Sequence, residues 1–125
     1  MPHLLLVMLG GALGSGARYL TGRAALVWMG PNFPWGTLAV NLIGGFAMGV
    51  LTGVLVRTGQ AGGVSWYLLG VGVLGGFTTF SAFSLDTINL IERGDFMLAT
   101  TYILASVIGS VAALAIGLNA VRAIA

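Results

Sequence analysis

Four long apolar stretches alternate with three short polar breaks along the chain. The stretches cover roughly residues 4–26, 36–56, 65–90 and 97–121, and each offers about the 20 residues that a helix needs to cross a hydrocarbon core. The breaks read "GPNFPWG" (30–36), "RTGQAGG" (57–63) and "ERGD" (92–95), polar and glycine-bearing as short loops between antiparallel helices are. Trp28, Trp35, Trp66 and Tyr67 stand beside them, where amphipathic rings sit at headgroup level. The pattern predicts an all-α membrane protein: four transmembrane helices in a single domain over residues 1–125, with no room for a soluble domain.

Composition agrees with the pattern. The chain is 58% hydrophobic and 6% charged, with a mean hydropathy of +1.03, far above a soluble domain. Five arginines against three acidic residues make no basic patch that would hold nucleic acid. Cysteine is absent and His3 is the single histidine, so no thiolate site is available and the sparse carboxylates build no catalytic constellation; an enzyme is not expected. The small residues of "GGALGSGA" (10–17) resemble a signal-peptide cleavage region. No Lys or Arg precedes them, however, and apolar character resumes past Arg18, so this stretch reads as a retained helix.

The arginines also bear on orientation. Arg57 and Arg122 fall on the side of the N-terminus, the second loop and the C-terminus, whereas Arg18, Arg23 and Arg93 fall on the other. Nearly equal counts give the positive-inside rule little to act on, which predicts insertion in both directions. Four helices enclose no wide pathway, so an antiparallel homodimer is expected. Gly45, Gly49 and Gly53 form a small-residue ridge on the second helix, and Gly10 and Gly14 one on the first; such ridges bring helix backbones close where lipid supplies little hydrophobic drive.

Several polar residues then stand at bilayer depth, where they are costly without a partner or a wet cavity. Asn41 shares a helix face with Thr37 and Gly45; it either fixes packing through an interhelical hydrogen bond or donates from its amide to something passing through. Tyr102, Ser106 and Ser110 align along one stripe of the fourth helix, as successive donors to a dehydrating ion or as ordinary small-residue packing. In "GGFTTFSAFS" (75–84), Gly75 and Gly76 weaken the helix and Thr78, Thr79, Ser81 and Ser84 compete for its backbone. A broken third helix is expected near its middle, freeing carbonyls for a cation or N–H groups for an anion. Phe80 and Phe83 point to one face, and their positive ring edges favour an anion without trapping it. Arg18 either snorkels to the interface or concentrates anions at a vestibule. The chain has no Lys and no basic residue is read at mid-helix, so a site using a buried cationic side chain is not expected. Asp86 reads as interfacial or ion-paired.

"GGALGSGARY" (10–19), "WGTLAVNLIGGFAMG" (35–49) and "GGFTTFSAFS", in this order within four apolar helices, closely resemble the CrcB/Fluc fluoride channels of bacteria. The resemblance covers essentially the whole chain. It implies passive, fluoride-selective export across the bacterial cytoplasmic membrane by a multi-pass, antiparallel, dual-topology homodimer with two narrow pathways. It further implies that Asn41 is the pore asparagine, that Phe80 and Phe83 face fluoride with their ring edges, and that Thr79 and Ser81 of the same motif belong to the pathway. Tyr102, Ser106 and Ser110 match the hydroxyl track, and Arg18 the vestibule arginine. The backbone carbonyls of Gly75 and Thr78 would hold a structural Na⁺ at the dimer interface. Ala82 departs from the pattern, since many members have Thr there.

Two other readings compete. Small four-helix proton-coupled exporters look to an acidic residue in the first helix, and residues 4–26 contain none. A non-transporting scaffold would make every Gly and Ser a packing device, but it leaves Asn41, Phe80 and Phe83 without a role.

Overall fold

The computed structural model describes residues 2–124, and all its regular structure is helical. α1 runs over Pro2–Met29, α2 over Trp35–Arg57 and the last helix, α6, over Phe96–Ala123. The third span, Trp66–Glu92, is in three pieces. α3 (Trp66–Leu74) is π-wound, α4 (Gly75–Phe77) is a short α-helical piece, and α5 (Ser81–Glu92) follows an interruption at residues 78–80. Four spans are therefore long and apolar enough to cross a membrane. At 1.5 Å per residue the outer helices measure about 42 Å, longer than a hydrocarbon core of roughly 30 Å, so they tilt or reach into the headgroups.

Two helix ends are closed by glycine. At the end of α2, the Gln60 N–H donates to the Leu55 carbonyl (2.8 Å) and Gly59 N–H to Val56 (3.3 Å), with Gly59 at φ +73°. α5 ends the same way: Asp95 N–H bonds to Leu90 and Gly94 N–H to Ile91, with Gly94 at φ +83°. Such caps satisfy the last carbonyls of a helix through a left-handed residue, which a side chain would strain.

The glycine ridges set the packing. α2 and α6 form the most extensive pair. A Cβ on Gly45 would lie 2.9 Å from the Ser110 carbonyl oxygen, one on Gly49 would strike the Leu114 carbonyl, and one on Gly53 would meet Val121. The ridge on α1 fits the third span in the same manner, Gly10 against the Leu68 carbonyl and Gly14 against that of Val73. Leu38, Leu90, Ala99 and Tyr102 form the buried core, with Phe33, Leu42, Phe83 and Ala105 packed on it. Most other large apolar side chains, among them Leu9, Val27, Met97 and Val111, are exposed, as lipid-facing residues are.

Contacts at the two ends fix the sidedness of the loops. His3 stacks on Tyr67 with centroids 4.0 Å apart, and Arg57 Nη1 donates to the Val121 carbonyl at 3.2 Å, which gathers the N-terminus, the second loop and the C-terminus. At the opposite end, Arg93 donates to the Asn32 carbonyl at 2.8 Å and pairs with Asp95.

The third span is interrupted near its middle, as expected, although not at the glycines themselves. Gly75 and Gly76 are helical, and the interruption comes at Thr78–Phe80, with Thr78 extended at ψ 158°. Gly76 is needed for contact: a Cβ there would lie 2.6 Å from the Gly11 carbonyl oxygen of α1. The break instead falls where Thr78 and Thr79 find side-chain and interhelical partners for the backbone.

Candidate ion pathway

The break is held by an amide clamp. The Asn41 side chain on α2 donates from Nδ2 to the Thr79 carbonyl at 3.0 Å and accepts the Thr79 N–H on Oδ1 at 2.9 Å. One amide thus satisfies both backbone groups of a residue that the helix leaves unpaired, a requirement for irregular backbone at membrane depth. Of the two readings of Asn41, the interhelical hydrogen bond is present. The amide carries a second N–H, with no protein acceptor among the described residues.

Local side-chain bonds complete the turn. The Thr78 hydroxyl donates to the Leu74 carbonyl (2.9 Å), while the Thr79 hydroxyl accepts the Ala82 N–H (3.2 Å) and lies 3.4 Å from that of Ser81. Thr79 so satisfies a donor of the first turn of α5. The carbonyls of Gly75 and Thr78 accept no hydrogen bond among the described residues.

Beside the break lies an open groove of about 570 Å³. Asn41, Thr79, Phe80, Phe83, Ser106 and Ser110 line it, as do Gly75 and Thr78. The Phe80 and Phe83 rings stand 5.5 Å apart at 51°, and Phe80 is 76% exposed toward the groove's open side. Ser106 is only 5% exposed, and its hydroxyl is buried with no hydrogen-bond partner among the described residues. Buried polar groups without partners are uncommon in native proteins and call for an explanation such as a bound water or ion.

Tyr102 stands apart from the other two hydroxyls. It is fully buried, does not line the groove, and donates to Asp86 Oδ2 at 3.1 Å. Its ring packs on Phe83 with centroids 5.3 Å apart and meets Phe33 edge-on. The Asp86 carboxylate therefore has a phenol partner across the helix pair; α5–α6 register, invisible in either helix alone, makes it. Ser81 is exposed outside the groove.

Arg18 reaches the third span. It is half-buried and donates from Nε to the Gly76 carbonyl at 3.2 Å, so a cationic side chain does sit between the ends of a span, contrary to expectation. With Arg23, Thr37, Thr79 and Ala82 it borders a second cavity of about 270 Å³. Thr79 lines both that cavity and the groove. Among the described residues no cluster of three or more His, Asp or Glu side chains could hold a metal, so a cation near the break would rely on backbone oxygens.

The family model described as "CrcB-like protein, Camphor Resistance (CrcB)" matches residues 5–118. A protein of Caulobacter sp. (strain K31) is 56% identical over 125 residues, 99% of this chain and 98% of its own. One of Chelativorans sp. (strain BNC1) is 55% identical over 124 residues, 99% of both chains. One of Sphingopyxis alaskensis is 49% identical over 122 residues, 98% of this chain and 97% of its own. All three are named fluoride-specific ion channel FluC. With four spans fit to cross a membrane and a match along nearly its whole length, the chain belongs to the CrcB-like family.

Proposed function

We propose that the protein is a passive, fluoride-selective channel that lets cytoplasmic fluoride leave through the cytoplasmic membrane of a bacterium. The observation that carries this reading is the groove where unclaimed donors and aromatic edges converge: the second Asn41 N–H, the partnerless Ser106 hydroxyl, and Phe80 beside Phe83. Fluoride gives up hydration water only for strong donors, and hydrogen bonds to a charged group are stronger than neutral ones. The ring edges add attraction without a fixed charge that would hold the ion. Hydrofluoric acid enters cells as a neutral molecule and dissociates in the more alkaline interior, so an open path suffices and no coupling ion is required. The relatives' shared name supports the choice of anion.

The working unit is an antiparallel homodimer with two pathways. A groove lined by Asn41, Thr79 and Ser106 would otherwise open sideways at bilayer depth, where uncovered polar groups are costly, and a second copy of the chain covers it. A structural Na⁺ fits the same face. The Gly75 and Thr78 carbonyls lack hydrogen-bond partners and line the groove, hard oxygen donors of the kind that suits a hard cation. Bound there, Na⁺ would neutralise the carbonyl dipoles at the interface. Arg18 and Arg23 concentrate anions in the cavity beyond Thr79. From there Thr79, Asn41, the phenyl edges and the hydroxyls of Ser106 and Ser110 replace water stepwise. Tyr102 supports Phe83 from behind and Ser81 supports the Thr79 hydroxyl.

Release of fluoride from liposomes holding the purified protein, read by a fluoride electrode under valinomycin with chloride alongside, tests the reading. Rapid fluoride efflux without chloride is expected. Folded protein that releases neither ion would reject it and direct attention to a proton gradient and Asp86. In Phe80→Ile and Phe83→Ile proteins, flux is expected to fall while the dimer stays assembled.

A further inference from the structure

Arginine carries its charge at every accessible pH, and Arg18 stands about 16 Å along α1 from its end at Met29 at 1.5 Å per residue. Helix side chains lean toward the helix N-terminus, and this one turns back to mid-span to donate to Gly76 at 3.2 Å. The depth is set by packing: Gly76 abuts Gly11, two turns before Arg18. Among the described residues the guanidinium pairs with no carboxylate.

The acceptor matters as much as the donor. At the turn out of α4, the carbonyls of Gly75, Gly76 and Thr78 lose their helical partners. Among the described residues only that of Gly76 receives a hydrogen bond, and Arg18 gives it. Gly75 and Thr78 remain free and face the groove, whereas Gly76 does not line it. The remaining Arg18 N–H groups border the cavity shared with Arg23, Thr37 and Thr79.

We propose that Arg18 is a positioning residue for the broken span: its guanidinium ties off the Gly76 carbonyl, holds the break in register, and joins the vestibule to the groove through Thr79. A general attraction for anions would need only the charge, which Lys also supplies. Tying off a carbonyl from the Nε of a planar fork while facing a cavity with the other nitrogens needs arginine. The consequence for conduction rests on the fluoride-channel reading; the structural role does not.

Two measurements separate these. In liposomes Arg18→Lys is expected to lower maximal fluoride flux roughly tenfold, the effect of about 1.4 kcal/mol from one misplaced buried group, with the half-saturating fluoride concentration unchanged. A raised half-saturating concentration at full maximal flux, or wild-type behaviour, would reduce Arg18 to an anion-attracting charge and overturn the proposal. Independently of flux, the lipid-embedded wild-type protein carries ¹³C in glycine carbonyls and ¹⁵N in arginine side chains. Dipolar recoupling between Arg18 Nε and the Gly76 carbonyl is expected, and amides of residues 79–82 should exchange faster in Arg18→Lys while those of α2 and α6 keep their rates. No recoupling in the wild type would overturn the proposal even in a protein that conducts fluoride, and would do so without any variant having to fold. Recoupling and faster exchange in a protein that conducts no fluoride would uphold the positioning role and remove the fluoride reading.

Discussion

Ser106 and Asn41 are both polar residues facing the groove, yet their substitution should have opposite signatures. The Ser106 hydroxyl has no partner among the described residues, so Ser106→Ala removes an unsatisfied buried group and should leave thermal stability unchanged or raised. Fluoride flux should nevertheless drop roughly tenfold, since a hydrogen bond to a charged species is worth about 1.5–3 kcal/mol. Unaltered flux would make Ser106 a packing residue. Asn41→Leu, in contrast, strands the Thr79 N–H and carbonyl together, at about 1–3 kcal/mol for each group, so both stability and flux should fall. Denaturation in detergent alongside liposome flux distinguishes the two.

At the scale of elements, the third span combines two devices that adjacent glycines serve unequally. A Cβ on Gly75 would find its nearest neighbour at 3.7 Å, whereas one on Gly76 would lie 2.6 Å from the Gly11 carbonyl. Gly75→Ala is therefore expected to be tolerated, with helical φ of −62° favouring it by about 0.4–1 kcal/mol. Gly76→Ala should push α1 from the break and destabilise by about 1–3 kcal/mol. Equal effects in a thermal melt would mean that contact with α1 does not govern this segment. A broken third span was legible from hydroxyls and glycines packed into ten residues. Its place near the middle of the span was legible too, with the interruption at 78–80; what the sequence left open was the means, since Gly76 stays helical against Gly11 of α1 and the Asn41 amide holds Thr79 at the break.

For the whole molecule, the proposed arrangement of two copies in opposite orientations rests on the near-balanced arginines. The contacts of His3 with Tyr67 and of Arg93 with Asn32 keep the loops on the sides used in that arginine count. The chain contains no cysteine, so Gln60→Cys in the second loop offers a unique label. In intact cells a membrane-impermeant thiol reagent should modify a substantial fraction, with the remainder reacting only after permeabilisation. Labelling wholly on one side would rule out dual topology.

By itself the sequence determined the number of spans, their loops and the small-residue ridges, since hydropathy, turn chemistry and glycine spacing are local properties read along one helix. Its family resemblance grouped Asn41, Thr79, Phe80, Ser81, Phe83, Tyr102, Ser106 and Ser110, and the groove gathers all of these except Ser81 and Tyr102. Tertiary structure alone decided which partner each polar residue takes: Asn41 with Thr79, Tyr102 with Asp86, Arg18 with Gly76. Each of these pairs joins different helical segments, and their mutual register and depth follow from how glycine faces nest, a fit between surfaces that no single stretch of chain encodes.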